Sequence, residues 1–581
     1  MQGLGIISLV AIYTLKKIDK NVVELIDYLL SSKDTDMNTV VRNFSVGRKG
    51  VISKTEVIMT YQELCKKGKY KYDQHFIQRI QMKPVRTQSG VVPVTVLTRP
   101  FECPGQCIFC PTDIRMPKSY LKDEPGAQRA ERNSFDPYLQ VYNRMRAFEN
   151  MGHTTDKIEL LVLGGTWSFY PKDYQVWFIK RCFDALNSTK TKDNLTLEDI
   201  PEDEQDPTLK GTQKTSVRGL PYMVGKRDMN LDELYKGLER AQKKNETAKH
   251  RNVGLVLETR PDSINEEEVI HLRRLGATKI QIGIQSLDDE ILKMNKRGHG
   301  IKETKKAIKL LRLAAFKIHA HWMPNLYGAT PKSDYIDFLK LFDKDILPDE
   351  LKIYPTSIIE NTELNEIYKK GKYRPYTTKE LVDLISKCVV NVPKFIRINR
   401  LIRDIPGTDI VAGNKSTNLR EVIENNVKES GGTLTDIRSR EVKVRDIKEN
   451  ELKLNRIIYK TPYSTEYFLS FDTIKDDKIA GFLRLSLPHT KYIKNPLLNE
   501  LKDSSLIREV HVYGRANILG GDSYMTSQHL GLGTKLIEEA NKISKQKKYT
   551  KTSVISAIGT REYYKKQGFK INGMYLTKDV K

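Results

Sequence analysis

Six cysteines in 581 residues are too few for a disulfide framework, and three of the six fall within eight residues of one another. Cys65, Cys182 and Cys388 stand alone and read as buried, reduced thiols. Such a distribution points to a reducing compartment with one metal site, so the expected location is the cytoplasm. Long apolar runs are also missing. Residues 1–15 are apolar but too short to span a bilayer. They carry no basic leader region and no cleavage site, so they read as a core-facing or extended start. No later stretch suits a membrane helix, which removes a membrane partner. Acidic residues are in deficit: 73 Asp and Glu against 98 Lys and Arg give a formal charge of +25. Either Lys simply fills a solvated surface, or the chain faces a polyanion, of which nucleic acid is the first candidate.

What is present is a chain long enough for two to four domains, with a normal 39% hydrophobic content. Residues 1–88 form a small basic region with helices such as 21–30. Its cations Lys66, Lys67, Lys69, Lys71, Arg79, Lys83 and Arg86 are interleaved with Tyr61, Tyr70 and Tyr72. Cations and aromatics in that mixture suit phosphates and unstacked bases; a solvated helical face is the alternative. Residues 89–395 alternate β-rich runs (91–97, 158–163, 254–258, 279–284, 317–323, 350–354) with helical patterns such as 288–295 and 302–315. That rhythm predicts an α/β fold with a parallel sheet or partial (β/α) barrel. The polar stretch 189–222 reads as a surface insertion. Residues 396–435, broken by Gly413, Asn414, Gly431 and Gly432, read as a linker. Residues 436–581 predict a separate α+β module, with strands at 467–471, 479–487, 507–513 and 553–557 and helices at 533–545 and 562–566.

The segment Cys103-Pro-Gly-Gln-Cys107-Ile-Phe-Cys110 follows the first predicted strand of the barrel. Three thiolates on one tight loop suit three irons of a cubane cluster, leaving the fourth iron open for chemistry. A zinc site completed by His75 or His153 is the other reading, but zinc sites favour paired ligand clusters and no second pair exists. The spacing C-x3-C-x2-C resembles the radical S-adenosylmethionine superfamily. Gly164-Gly165 after the second strand is similar to that superfamily's glycine turn at the methionyl amino group. Glu258 and Gln285 end later strands where polar residues would meet S-adenosylmethionine, on the face where barrel chemistry collects.

In the last module, Gln528-His-Leu-Gly531-Leu-Gly533-Thr534 lies between a strand and a helix, where free backbone N–H groups suit a phosphate. No Lys-Ser/Thr follows, so it is not a P-loop. With Glu509-Val510-His511-Val512 as the preceding strand, the module resembles the GNAT-type acetyltransferases, which implies an acyl-CoA site. Tyr564 is then placed to protonate a leaving thiolate; alone it reads equally as an amphipathic core residue.

A radical domain followed by an acetyltransferase module resembles the family of Elongator catalytic subunits, the tRNA wobble-uridine carboxymethylating enzymes. Matching stretches include Glu124-Pro-Gly-Ala-Gln-Arg129, Gly152-His-Thr-Thr-Asp-Lys157, Glu258-Thr-Arg-Pro-Asp262, Asn295-Lys-Arg-Gly-His299, Leu351-Lys-Ile-Tyr-Pro355 and Tyr563-Tyr564. The resemblance implies a [4Fe-4S] cluster on Cys103, Cys107 and Cys110 that cleaves S-adenosylmethionine to a 5′-deoxyadenosyl radical. The radical would take hydrogen from the acetyl-CoA methyl group. The carbon radical would add to C5 of uridine 34, and hydrolysis would leave a carboxymethyl group. Lys157, Glu509, Val510, His511, Val512, Leu532, Gly533, Thr534 and Tyr564 would contact acetyl-CoA, with Lys157 and Tyr564 as catalytic residues. Lys83 and Arg86 would hold the tRNA anticodon arm, and Elongator-type subunits or a second copy would be partners. Thr112, Asp113 and Asn325 depart from the family pattern, Asn325 by replacing a carboxylate. A lysine acetyltransferase with a structural cluster and a non-catalytic tRNA-binding scaffold are the competing expectations.

Overall fold

The computed structural model describes residues 18–32, 37–45, 50–82, 90–113, 115–206, 212–215, 221–224, 230–442, 447–513 and 530–580. The apolar start 1–15, Lys83, Arg86 and Gln528 lie outside these residues.

Seven strands build the first sheet: β1 (Val92–Leu97), β2 (Lys157–Leu163), β3 (Arg251–Thr259), β4 (Lys279–Gln285), β5 (Lys317–Trp322), β6 (Glu350–Ile353) and β7 (Arg397–Arg400). They pair in sequence order, every pair parallel, with β1 and β7 as the edges. The sheet is thus a curled half-barrel, open on one side. Alternation sets which residues face inward. On β1, Val92, Val94 and Val96 are buried against helix Pro137–Asn150, while Pro93, Thr95 and Leu97 face the lumen. Pro93 has no N–H to donate, which an edge strand tolerates. Asp136 caps that helix by accepting from the Leu139 N–H at 2.9 Å, with Pro137 at its first position.

Strand β7 falls in the stretch expected as a linker. Its four residues, Arg-Ile-Asn-Arg, are too short and too polar to read as a strand, but β6 supplies a ready edge. The same stretch holds helix Leu419–Glu429, which packs on helix Thr378–Val389 and buries Leu419, Ile423 and Val427. The 189–222 stretch is not uniformly a surface loop either. Leu195 and Ile200 are buried in the main core, and Asp206 pairs with Arg99 at 3.3 Å.

The second sheet comprises β8 (Leu452–Lys460), β9 (Ser464–Thr473), β10 (Ile479–Pro488), β11 (Ser504–Val512), β12 (Lys551–Val554), β13 (Lys570–Asn572) and β14 (Tyr575–Asp579). Its order is β8-β9-β10-β11-β12-β14-β13, antiparallel except for the β11–β12 pair. Helix Leu532–Gln546 covers it.

This second domain docks on the N-terminal ends of the barrel strands. Arg508 on β11 reaches Asp349 ahead of β6, and Tyr575 donates to the Ala314 carbonyl at 2.7 Å. Gly559 lies so close to β3 that a Cβ there would sit 2.8 Å from the Asn252 carbonyl oxygen, so only glycine permits the approach. A separate helical cluster at the N-terminus packs Val22, Leu25, Ile58, Tyr61 and Phe76. Tyr61, expected among the base-stacking aromatics, is fully buried there, and Arg79 donates to the carbonyls of Leu29 and Ser32 at a helix end. Lys66, Lys67 and Tyr72 remain exposed. Among the described residues no helix is long and apolar enough to cross a membrane.

Candidate active site

Two cavities meet inside the half-barrel. The upper one, about 900 Å³, opens at the C-terminal ends of the strands and is lined by Cys103, Cys107 and Cys110. The loop carrying them leaves β1 and is fixed by backbone bonds, Ile108 N–H to Asn295 and Leu364 N–H to Ile108. All three thiols are unbridged. Arg297 donates to the Cys107 sulfur at 3.2 Å. Burial pushes the Cys107 thiol up, but Arg297 and Arg260 outweigh it and hold the thiol below its ordinary range. Burial carries the Cys110 thiol up to about 11, with Lys118 opposing. Arg260 crowds Gly105 so closely that any Cβ there would collide with its guanidinium. Among the described residues no three His, Cys, Asp or Glu side chains converge on a single-ion site. A cubane spreads its thiolates over three iron corners, so three thiols on one cavity wall under two guanidinium groups fit a cluster rather than one ion. His75 and His153 do not border this cavity, and His153 is engaged with Gln81 at 2.7 Å.

The residues expected to meet S-adenosylmethionine surround the thiols. Gly164 and Gly165 both have positive φ, +124° and +73°. Gly165 and Thr166 line the cavity, while Gly164 backs it against Thr98. Glu258 lines the wall, its carboxyl raised by burial with Lys352 opposing. Gln285 has φ +70° beyond a register shift in β4, which aims its side chain into the cavity. Its Oε1 is buried without a hydrogen-bond partner, as are Arg260 Nη1 and Arg297 Nε. Unmatched polar atoms around a cavity are what a polar cofactor would satisfy.

The lower cavity, about 1220 Å³, lies between the base of the half-barrel and the second domain. Glu509, Val510, His511 and Tyr564 line it. Strand β11 pairs with β12 only over Ser504–Ile507, so residues 508–512 present one strand edge toward this cavity. Gly531, at φ +64°, precedes helix Leu532–Gln546, whose first turn has no side-chain cap. Gly533 nestles against the Tyr563 hydroxyl, and Thr534 accepts from Gln567 at 3.1 Å. Burial pushes the Tyr564 phenol up, so it stays protonated. The Glu509 side chain is turned to the barrel, at 2.5 Å from Lys317 and 2.9 Å from Arg484, which hold it ionised against burial. Lys157 begins β2 and lines neither cavity.

Of the departures, Asn325 is accounted for locally. It sits at φ +63°, its Oδ1 accepts from Tyr376 N–H at 2.6 Å, and its N–H donates to Asp334 at 2.7 Å. Asp334 supplies the local carboxylate, and a second one at position 325 would face it. Thr112 accepts from Lys118, and Asp113 pairs with Arg115 at 3.1 Å. Residues that the sequence did not single out complete the lumen: Glu159, Lys279, Gln281, His319, His321 and Lys352.

A half-barrel with a three-thiol loop at its C-terminal face defines a radical SAM protein, and residues 215–340 match the radical SAM superfamily while 348–429 match the radical SAM C-terminal domain. The chain is 39% identical over 517 residues to a tRNA uridine(34) acetyltransferase of Methanocaldococcus infernus, covering 86% of this chain and 88% of that protein. It is 32% identical over 519 residues to Elongator complex protein 3 of Schizosaccharomyces pombe, covering 86% of this chain and 87% of the other. The solved structure of the archaeal Methanocaldococcus infernus Elp3, lacking residues 1–46, is similar at a TM-score of 0.66 and 35% identity. That likeness covers 84% of this chain and 99% of the solved one. The chain belongs to the family of the tRNA uridine(34) acetyltransferases and Elongator complex protein 3.

Proposed function

We propose that this protein modifies uridine 34 of tRNA, joining the two-carbon acyl unit of acetyl-CoA to C5 of the base as a carboxymethyl group. The observation that supports this most is the meeting of two cavities, one walled by three thiols and one by the half-free strand 508–512. When bound, a [4Fe-4S] cluster with S-adenosylmethionine supplies a 5′-deoxyadenosyl radical. Cys103, Cys107 and Cys110 would hold the cluster, with Arg297 and Arg260 stabilising the thiolates. Gly165, Glu258 and Gln285 would receive S-adenosylmethionine. The open edge of β11 would pair with the pantetheine arm in the manner of GNAT acetyltransferases, and the first-turn N–H groups at Leu532, Gly533 and Thr534 would take the pyrophosphate. Protonated Tyr564 borders the cavity where a thiolate leaves. The exposed Lys66 and Lys67 and the basic N-terminal region support tRNA as the partner, and the relatives' names favour Elongator-type assembly.

Nucleoside mass spectrometry of wobble uridines, from cells with and without the gene, tests this reading. Loss of 5-carboxymethyluridine derivatives on deletion is expected. An unchanged profile would overturn it and leave a lysine acetyltransferase or a tRNA-binding scaffold.

A further inference from the structure

The N-terminal end of a parallel barrel ordinarily serves stability, and chemistry belongs at the other end. Here the N-terminal end is hollow. Pro93, Glu159, Lys279, Asn399, Arg400, Ile402 and Asp404 line both the upper and the lower cavity, so the two share a mostly polar ring of side chains. Lys279 Nζ sits 2.9 Å from Glu159 and 3.2 Å from Glu350, and Asn399 donates to Glu350 at 2.6 Å. Lys317 joins Glu350 at 3.1 Å to Glu509 at 2.5 Å, on the strand that borders the lower cavity. One step above this ring is His319, only 1% exposed and facing the upper cavity. Neither of its ring nitrogens has a hydrogen-bond partner; the Glu350 carboxylate is 3.3 Å from Nδ1 but off the bonding direction. Asn399 Oδ1 is likewise buried and unmatched.

A ring serving stability alone would be expected to satisfy these groups, because unmatched buried polar atoms and buried charges are costly. An ammonium and, two residues farther up the neighbouring strand, an imidazole N–H are donors suited to a carbonyl oxygen. From Glu159 to Leu163, β2 rises four residues, about 13 Å from ring to upper rim. An extended pantetheine arm can span such a path.

We propose that the half-barrel lumen is the passage by which the acyl end of a CoA thioester, bound at the base, reaches the thiol-lined cavity, with Lys279 and His319 receiving its carbonyl oxygen. This rests on the acyl-CoA reading above.

The test uses apo protein carrying Thr95→Cys, on the lumen wall above the ring. A small alkylating reagent is added, and the peptide 87–101, released by trypsin together with chymotrypsin, is followed by mass spectrometry, separately from the native cysteines. With acetyl-CoA at about ten times its Kd, occupancy slows labelling of position 95 about ten-fold. With 3′-phospho-ADP, which lacks the arm, labelling stays at the free rate. Leu161→Cys on the neighbouring strand gives a second reporter. If acetyl-CoA binds by calorimetry yet labelling at both reporters is unchanged, the passage is refuted and the acyl-CoA site stands. If acetyl-CoA does not bind, the acyl-CoA reading fails and the passage falls with it.

Discussion

Arg508 sits where the two sheets are bolted together, and its replacement by Met removes a buried guanidinium shared by two carboxylates. Its guanidinium donates to Asp349 at 3.0 Å, to Glu466 at 3.2 Å and to the Phe316 carbonyl at 2.9 Å. Asp349 is fully buried; its other partners are the Ile318 N–H at 2.9 Å and Arg484 at 3.5 Å. Arg508→Met therefore leaves a desolvated carboxylate with one backbone N–H and a single, longer ion pair. Removing one partner of a buried pair costs about 3–5 kcal/mol. An independent route gives a similar figure. Burial pushes the Asp349 carboxyl up, but Arg508, then Arg484 and Arg312, bring it from 3.8 down to about 2. A depression of that size contributes about 2.5 kcal/mol. Because the folded-state value is the lower one, the contribution is complete above the unfolded pKa and disappears as pH falls through about 2. Urea unfolding read by tryptophan fluorescence measures the effect, since Trp167, Trp177 and Trp322 all lie in the half-barrel domain. At pH 7 the variant should lose about 3 kcal/mol, and the deficit should shrink below pH 4. Adding Asp349→Leu should recover most of the loss, since an apolar pair replaces a stranded charge. A loss below about 1 kcal/mol, the range of exposed pairs, would refute the reasoning.

Cys107→Ser should abolish 5′-deoxyadenosine formation by anaerobically reconstituted protein while leaving tRNA affinity unchanged; residual cleavage would remove this thiol from the site. Asn325→Asp should destabilise by about 0.5–3 kcal/mol at pH 8, through repulsion between two buried carboxylates. Burial raises the Asp334 carboxyl to about 7, so it keeps its proton at pH 6 and the deficit should be smaller there. An equal deficit at both pH values, by thermal unfolding, would count against that pairing. Gly164→Ala places a Cβ against the Thr98 hydroxyl at φ +124°. Strain of about 1–3 kcal/mol follows, together with weaker S-adenosylmethionine binding by calorimetry; wild-type values for both would show the turn to be permissive.

The N-terminal cations illustrate how far a sequence pattern reaches. Spacing alone could not distinguish a nucleic-acid face from an ordinary helical surface, and the structure divides the set. Arg79 caps a helix end and Tyr61 fills a core, whereas Lys66, Lys67 and Tyr72 stay in solvent. The strand Arg397–Arg400 was invisible for a different reason. Four polar-rich residues carry no periodic signal, and only the unpaired edge of β6 makes them a strand.

Some features of this protein follow from chain order and residue type. Three cysteines within one turn of loop must share a site wherever the chain goes, and six of the seven barrel strands announce themselves as short apolar runs between helices. The lumen was partly legible too. A buried parallel strand should read as continuously apolar, yet polar residues recur at alternate positions in Lys279-x-Gln281, Lys317-x-His319-x-His321 and Glu350-x-Lys352. What the sequence could not disclose is that these alternations point to a common interior. Glu159, Lys279, Glu350 and Asn399 are separated by up to 240 residues, and only the closing curl of the sheet brings their polar side chains together. The docking of the second domain under that ring, through Arg508 and Asp349, is likewise a contact between distant parts of the chain. Local patterning fixes strands, turns and the thiol loop. Long-range packing decides that the two cavities share a wall.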